Sequence, residues 1–277
     1  MNYLIRTIPI VFLLLVSGCK TSDILNHPTT QATLWVQNSS EYKALAKQAY
    51  NSAYPYLNPA LEDSSWSALT TESNTDFSEL PPAIILDVDE TVLDNSPFQA
   101  RMIKSGSEYD AEEWSKWVNE ANAEAIPAAV ELTQYAVGQG ITVFFVTNRL
   151  HVNEEPTRKN LIKAGFPVYD SLDNILTKGE QDEWTSSKVE RRKFIAQNYR
   201  VIMLFGDDLN DFISAKNISE KQRDELVEHY SDYFGKKWFI LPNPVYGSWT
   251  QSITGFKKDL NKEQTQAINT MHLNSKN

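Results

Sequence analysis

Two carboxylates separated by one residue, Asp87 and Asp89, end the apolar run Ala83-Ile84-Ile85-Leu86. At about 4 Å and an effective dielectric of about 20 such a pair repels by roughly 4 kcal/mol, so it gathers a cation or shares a proton. Either state suits nucleophilic or acid–base work. Two further polar clusters end apolar runs: Thr147-Asn148-Arg149 follows residues 141–146, and Asp207, Asp208 and Asp211 follow residues 201–205. Between them Lys188 falls in the first turn of an expected helix, where the dipole offers a cation nothing and a phosphate would. Each cluster also has a plainer reading. Asp87 and Asp89 suit a turn with Thr91 capping a helix, Thr147-Asn148-Arg149 suits a strand-end turn, and Lys188 suits a solvated surface lysine.

The clusters meet only if the runs that carry them lie side by side. The run entered through Pro81-Pro82 is apolar throughout, as in a central parallel strand covered on both faces. Residues 141–146, 201–205 and 238–241 read as further strands. Helical patterns over 127–137, 155–164 and 186–199 alternate with them, the first ended by Gly138 and Gly140, the second by Gly165. This predicts an α/β fold, a Rossmann-like parallel sheet with helices on both faces and ligands beyond the strands' carboxyl ends. The core spans 81–260. An N-terminal helical extension covers 35–80, with a helix over 35–61 interrupted at Pro55 and then a polar loop. A helical insertion without strand pattern occupies 97–126 and carries Trp114 and Trp117. The tail covers 261–277, and its end from about Thr270 is polar and expected to fray. The four histidines show no metal-ligand spacing and are given no role.

With 277 residues, 41% of them hydrophobic, the chain has enough apolar material for a sizeable core. A net charge of −10 excludes a binder of nucleic-acid polymers, which needs a basic face. Cys19 is the sole cysteine, so no internal disulfide forms. It follows Arg6, the apolar stretch 8–16, too short to span a bilayer, and the small residues Ser17 and Gly18. This resembles a bacterial lipobox, which implies a signal peptide over 1–18, lipid on Cys19, a polar tether over 19–34 and a bacterial envelope location. Lys20 after the cysteine favours the outer membrane by analogy with enteric sorting. An ordinary secretory signal is the other reading.

Several motifs in order carry a wider resemblance. They are Asp87-Val88-Asp89-Glu90-Thr91-Val92-Leu93-Asp94-Asn95-Ser96, Phe145-Val146-Thr147-Asn148-Arg149, Lys188, Gly206-Asp207-Asp208-Leu209-Asn210-Asp211-Phe212 and Leu241-Pro242-Asn243-Pro244-Val245-Tyr246-Gly247-Ser248-Trp249. Together they resemble the haloacid dehalogenase superfamily, specifically the class C acid phosphatases of subfamily IIIB, which are lipid-anchored nucleotidases; related plant phosphatases and storage proteins share the core pattern. The resemblance implies Asp87 as nucleophile, Asp89 as general acid and base, and Mg²⁺ held by the Asp87 carboxylate, the Asp89 backbone carbonyl and Asp207. It implies phosphate binding by Thr147, Asn148 and Lys188, with Asp211 supporting the metal shell or serving as a helix N-terminal acid. Asp208 stands where relatives often have Asn. Trp114 and Tyr246 would flank a base or else pack structurally, with Trp117 the better candidate for packing. The implied substrates are nucleoside 5′-monophosphates, nicotinamide mononucleotide among them. A broad sugar or aryl phosphatase, and a surface lipoprotein with a relict pocket, are the alternatives; an oligomer is compatible with either.

Overall fold

The computed structural model describes residues 27–70, 76–257 and 259–276. The signal peptide read over 1–18 and the lipid attachment read at Cys19 lie outside the described residues. The strands are β1 (Pro82–Leu86), β2 (Leu93–Asp94), β3 (Glu124–Ala125), β4 (Thr142–Leu150), β5 (Ile175–Lys178), β6 (Arg200–Gly206) and β7 (Trp238–Ile240). The helices are α1 (Thr30–Asn38), α2 (Ser40–Asn51), α3 (Tyr54–Glu62), α4 (Ser96–Ser105), α5 (Ala111–Glu120), α6 (Ala129–Gly138), α7 (Glu154–Ala164), α8 (Val189–Ala196), α9 (Glu220–His229), α10 (Ser248–Ile253) and α11 (Lys262–His272).

Five strands make one parallel sheet in the order β5-β4-β1-β6-β7. β1 is central because its side chains bury on both faces. Ile84 and Leu86 pack with Phe145, Met203 and Phe205 on one side, and Ala83 and Ile85 with Phe144, Val146 and Leu204 on the other. That alternation is the two-residue period of a strand, and the absence of a polar face follows from cover on both sides. Helices α1 to α3, α6 and α7 supply the first cover, and α8 contributes to the second. Gly165 ends α7 at φ +95, a left-handed conformation that glycine adopts without a Cβ penalty. It donates to Ile162 O at 3.0 Å while Phe166 donates to Leu161 O at 2.9 Å.

The N-terminal extension differs from its expected outline. α1 begins at Thr30, inside the stretch read as tether, because Thr33 and Val36 bury against the structure and a polar segment of low propensity becomes helical when packing supplies the stability. The breaks fall at Ser39 and at 52–53, not at Pro55. The Ser39 side chain accepts the Tyr42 N–H at 3.0 Å and caps α2, while Pro55 sits in the first turn of α3, where its missing N–H costs nothing. Tyr50 of α2 stacks on Phe205 at 5.5 Å between centroids, and its hydroxyl donates to Thr91 O, tying the extension to the loop after β1.

Other elements were hidden by short or polar sequence. β5 has just two strongly apolar residues, Ile175 and Leu176. α9 and α11 bury no residue; each is announced by a capping box, Ser219 with Gln222 and Asn261 with Gln264. The tail, where no helix was expected, is helical over 262–272, so regular structure runs a little past Thr270 before it ends. The insertion stands as α4 and α5 on a two-residue antiparallel stalk, β2 with β3, where no strand pattern was read. β4 runs on through Thr147, Asn148 and Arg149 to Leu150. Among the described residues, no helix is long and apolar enough to cross a membrane.

Candidate active site

The carboxyl ends of β4, β1 and β6 are neighbours in the sheet, so the groups that follow them converge. Asp87 stays in sheet register, its N–H donating to Phe205 O at 3.0 Å. The chain then folds back tightly, with Val92 and Leu93 both donating to Val88 O, at 3.0 and 2.9 Å. Glu90 takes φ +58 in this loop, a conformation costly for a residue with a Cβ. It is held by Tyr246, whose hydroxyl donates to Oε1 at 2.9 Å, and by the Asn95 N–H, which donates to Oε2 at 3.2 Å.

Lys188 is the residue before α8, and its buried ammonium bridges Asp87 and Asp211, the latter at 2.6 Å. Asp211 can lie so close because position 206 is glycine: a Cβ there would stand 2.3 Å from that of Asp211. The other Asp211 oxygen accepts the Asp208 N–H at 3.0 Å. Asp207 accepts from Asn243 Nδ2 at 2.8 Å. One carboxylate oxygen each from Asp87, Asp207 and Asp211 lies within 4.8 Å of the others.

Charge in this cluster does not balance. Burial pushes the Asp87 carboxyl up, and Asp211 and Asp89 add to that against the pull of Lys188. Asp207 rises for the same reasons, loss of solvent first, then Asp211 and Asp87. Burial works against the charged Lys188, yet Asp211 and Asp87 together raise it. Three acids thus share one ammonium. All their donors are hard oxygens, and a divalent cation would supply the charge they lack. The residues present fit such an ion.

Asp89 turns to the mouth of the cleft, where Arg149 grips one of its oxygens through Nη2 at 2.8 Å and Nε at 3.0 Å. Asn95 Nδ2 donates to the same oxygen at 2.9 Å. Arg149 is itself buried and donates to Thr157 Oγ1 at 3.1 Å. Thr147 lies behind this rim, fully buried, its hydroxyl accepting the Arg149 N–H at 3.1 Å and its carbonyl accepting from Arg191. Asn148 lines the cleft, but both ends of its amide are engaged: Oδ1 accepts from Arg191 at 2.8 Å, and Nδ2 donates to Ser186 O at 3.1 Å. Burial pushes the Arg191 guanidinium down to about 10.

A family model described as the HAD superfamily, subfamily IIIB (acid phosphatase) matches residues 18–249. The chain belongs to this family. A class C acid phosphatase from Bacillus anthracis shares its fold at a TM-score of 0.78 and 34% identity, over 89% of this chain and 97% of that one. A structure of that protein with tungstate bound matches equally. Acid phosphatase 1 of Solanum lycopersicum is 28% identical over 166 residues, and the stem 28 kDa glycoprotein of Glycine max 27% over 167. These matches span 57% and 58% of the two plant proteins, under two thirds of each.

Several site residues of this subfamily IIIB chain were absent from the sequence reading as individual roles. Arg149 appeared as part of a motif, and its grip on Asp89 joins positions 60 apart in the chain. Asn95 connects the insertion to the same carboxylate, because its Oδ1 accepts the Trp117 Nε1–H at 2.8 Å; Trp117 is the packing tryptophan, 4% exposed. Glu90 was signalled solely by its place in the motif. Asp208 faces away from the acids: it accepts the Ser248 N–H at 2.6 Å and hydroxyl at 2.7 Å and caps the turn at 209–211. Those bonds, with the Asn210 N–H, hold it below the usual carboxylate range although burial opposes them.

The cleft above the acids has a volume of about 1400 Å³. Trp114 and Tyr246 both line it, as does Tyr109. Trp114 is half-buried, with its edge against Phe98 at 5.1 Å and the Arg149 guanidinium 5.7 Å from its ring centre. Outside the cleft, His151 joins Glu154, three residues on, and Glu180, from a separate part of the chain, in a second group with metal-type spacing.

Proposed function

We propose that the protein is a Mg²⁺-dependent acid phosphatase that hydrolyses phosphomonoesters through an aspartyl-phosphate on Asp87. Nucleoside 5′-monophosphates are its preferred substrates, nicotinamide mononucleotide included. The observation that carries the reading is the convergence of Asp87, Lys188, Asp207 and Asp211 below a cleft whose mouth holds Asp89 in the fork of Arg149. Binding of tungstate, a tetrahedral oxyanion, by the Bacillus anthracis relative supports a site shaped for phosphate.

The Asp87 carboxylate attacks phosphorus, and the bond to the leaving oxygen breaks as Asp89 gives that oxygen its proton. Water then attacks the phosphorus of the acyl phosphate and passes its proton to Asp89, which restores both acids and releases inorganic phosphate. Lys188 stays charged beside Asp87 and stabilises the negative charge gathered there. Arg149 and Asn95 fix the Asp89 side chain toward the leaving group. Arg191 holds the end of β4, so that backbone donors at Thr147 and Asn148 present a rigid edge to the phosphoryl oxygens. The Asp87 carboxylate, the Asp89 carbonyl and Asp207 would hold Mg²⁺, which when bound offsets the charge between the acids and the phosphate dianion.

Stacking on Trp114 and Tyr246 supports the nucleotide preference and is worth roughly 1–3 kcal/mol per base. The packing of Trp114 on Phe98 favours the second reading, a phosphatase of broad range in which the ring is structural. Turnover of adenosine monophosphate and glycerol phosphate by wild type and Trp114→Ala separates the two: selective loss on the nucleotide supports stacking, and equal loss on both removes it. The segment leading to Cys19 supports attachment by lipid to the bacterial outer membrane. Mass spectrometry of detergent-extracted protein should find a chain that begins with an acylated Cys19.

A further inference from the structure

The catalytic end of the cleft is built by the sheet, and its far side is built by something else. α11 places Lys262, Thr265, Gln266, Asn269 and Thr270 on the cleft wall, with Leu273 just after it. Spacings of three and four put these on one helical face. The middle of that face is uncharged and polar. Among the described residues, the amides of Gln266 and Asn269 and the hydroxyl of Thr265 make no hydrogen bond within the protein.

The helix is capped at its start but buries no residue. Two exposed contacts hold it in place, an ion pair of Lys262 with Glu108 of the insertion at 3.9 Å and the His272 ring beside Glu220 of α9 at 3.3 Å. Exposed pairs of this kind contribute little to stability, and Gln266 and Asn269 stay solvent-exposed where this face borders the cleft. α11 also lies beyond residue 249, where the family match ends. The part of the cleft it walls therefore lies outside the segment that the family model matches.

We infer that α11 is a specificity wall for the leaving group, with Gln266 and Asn269 hydrogen-bonding the hydroxyls and ring nitrogens at the far end of a nucleoside whose phosphate lies over Asp87. This rests on the phosphatase reading above. The chemistry selects phosphomonoesters with long, uncharged, hydrogen-bonding leaving groups. Short esters end before they reach the helix.

Steady-state kinetics of the full-length protein and of Gln266→Ala/Asn269→Ala, on adenosine 5′-monophosphate and on p-nitrophenyl phosphate, test it. Loss of two hydrogen bonds should raise KM for the nucleotide about tenfold with kcat unchanged, while both constants for the aryl ester stay within about twofold, as expected of changes on an exposed helix. An unchanged nucleotide KM, or an equal rise on both substrates, overturns the inference and leaves the phosphatase reading intact. Wild type that cleaves the aryl ester and not the nucleotide also overturns the wall's assigned ligand. Wild type that cleaves neither ester overturns the phosphatase reading, and the inference with it.

Discussion

Among the described residues, two groups of three potential metal ligands stand out, and they are built on opposite terms. Asp87, Asp207 and Asp211 crowd around Lys188, whose side chain is 5% exposed beside Asp87 at 8% and Asp211 at 5%. His151, Glu154 and Glu180 lie at the surface, with the His151 side chain 56% exposed. In the surface group the acids are already served: Thr177 donates to Glu180 through its N–H at 3.0 Å and its hydroxyl at 3.1 Å, and His151 sits 2.9 Å from Glu154. The buried group has a surplus of negative charge that no neighbour cancels. Proximity of ligands is common to both. Burial with uncompensated charge belongs to one, and that is what gives a cluster an affinity to use.

The sharpest test of this contrast is Asp87→Asn, which keeps shape and removes the proposed nucleophile. Turnover of any phosphomonoester should fall by more than about a thousandfold while the thermal unfolding curve keeps its cooperativity. Retained hydrolysis would rule out the covalent route. Next in size, Asp207→Asn should raise the Mg²⁺ concentration needed for half-maximal activity by roughly a hundredfold or more, beyond the 10- to 100-fold typical of outer-shell changes. His151→Ala should leave the same titration unmoved, and a shift there would break the contrast. Chelation should silence the wild type, and added Mg²⁺ should restore it.

Arg149→Lys probes how firmly the buried side is organised. A lysine cannot reproduce the fork that holds Asp89, so kcat should drop by about 10- to 100-fold, with KM for phosphate esters changed less. The smallest effect concerns Glu90, which burial, then Asp94 and Asp89, push up from 4.5 to about 8. An acid raised on folding binds its proton more tightly folded than unfolded. Its contribution to stability is therefore full below about pH 4.5 and is lost as pH rises through about 8. Glu90→Gln, shaped like the protonated acid, should melt with the wild type at pH 5 and exceed it by roughly 1–3 kcal/mol at pH 9. Equal stability at both values would place Glu90 among groups that solvent already satisfies.

What could be read along the chain and what could not follows the range of the forces involved. The runs at 83–86, 141–146 and 201–205 announced buried strands, and the acids at their ends, with Lys188 at the start of a helix between two of them, announced a shared site, because apolar periodicity and element termini are local properties. β5 and α11 escaped because a four-residue strand and a helix without buried residues carry almost no periodic signal. α1 escaped because its helicity comes from packing more than from propensity.

By itself the sequence determined the parallel α/β core and the order in which acids, lysine and rim residues reach its edge. Tertiary structure alone decided that Arg149 grips Asp89, that Gly206 makes room for Asp211, that Trp114 lines the cleft, and that His151 gathers two glutamates outside it. Each of these depends on distances between residues far apart in the chain and on how much water is left around them, and neither quantity is written in the spacing of residue types.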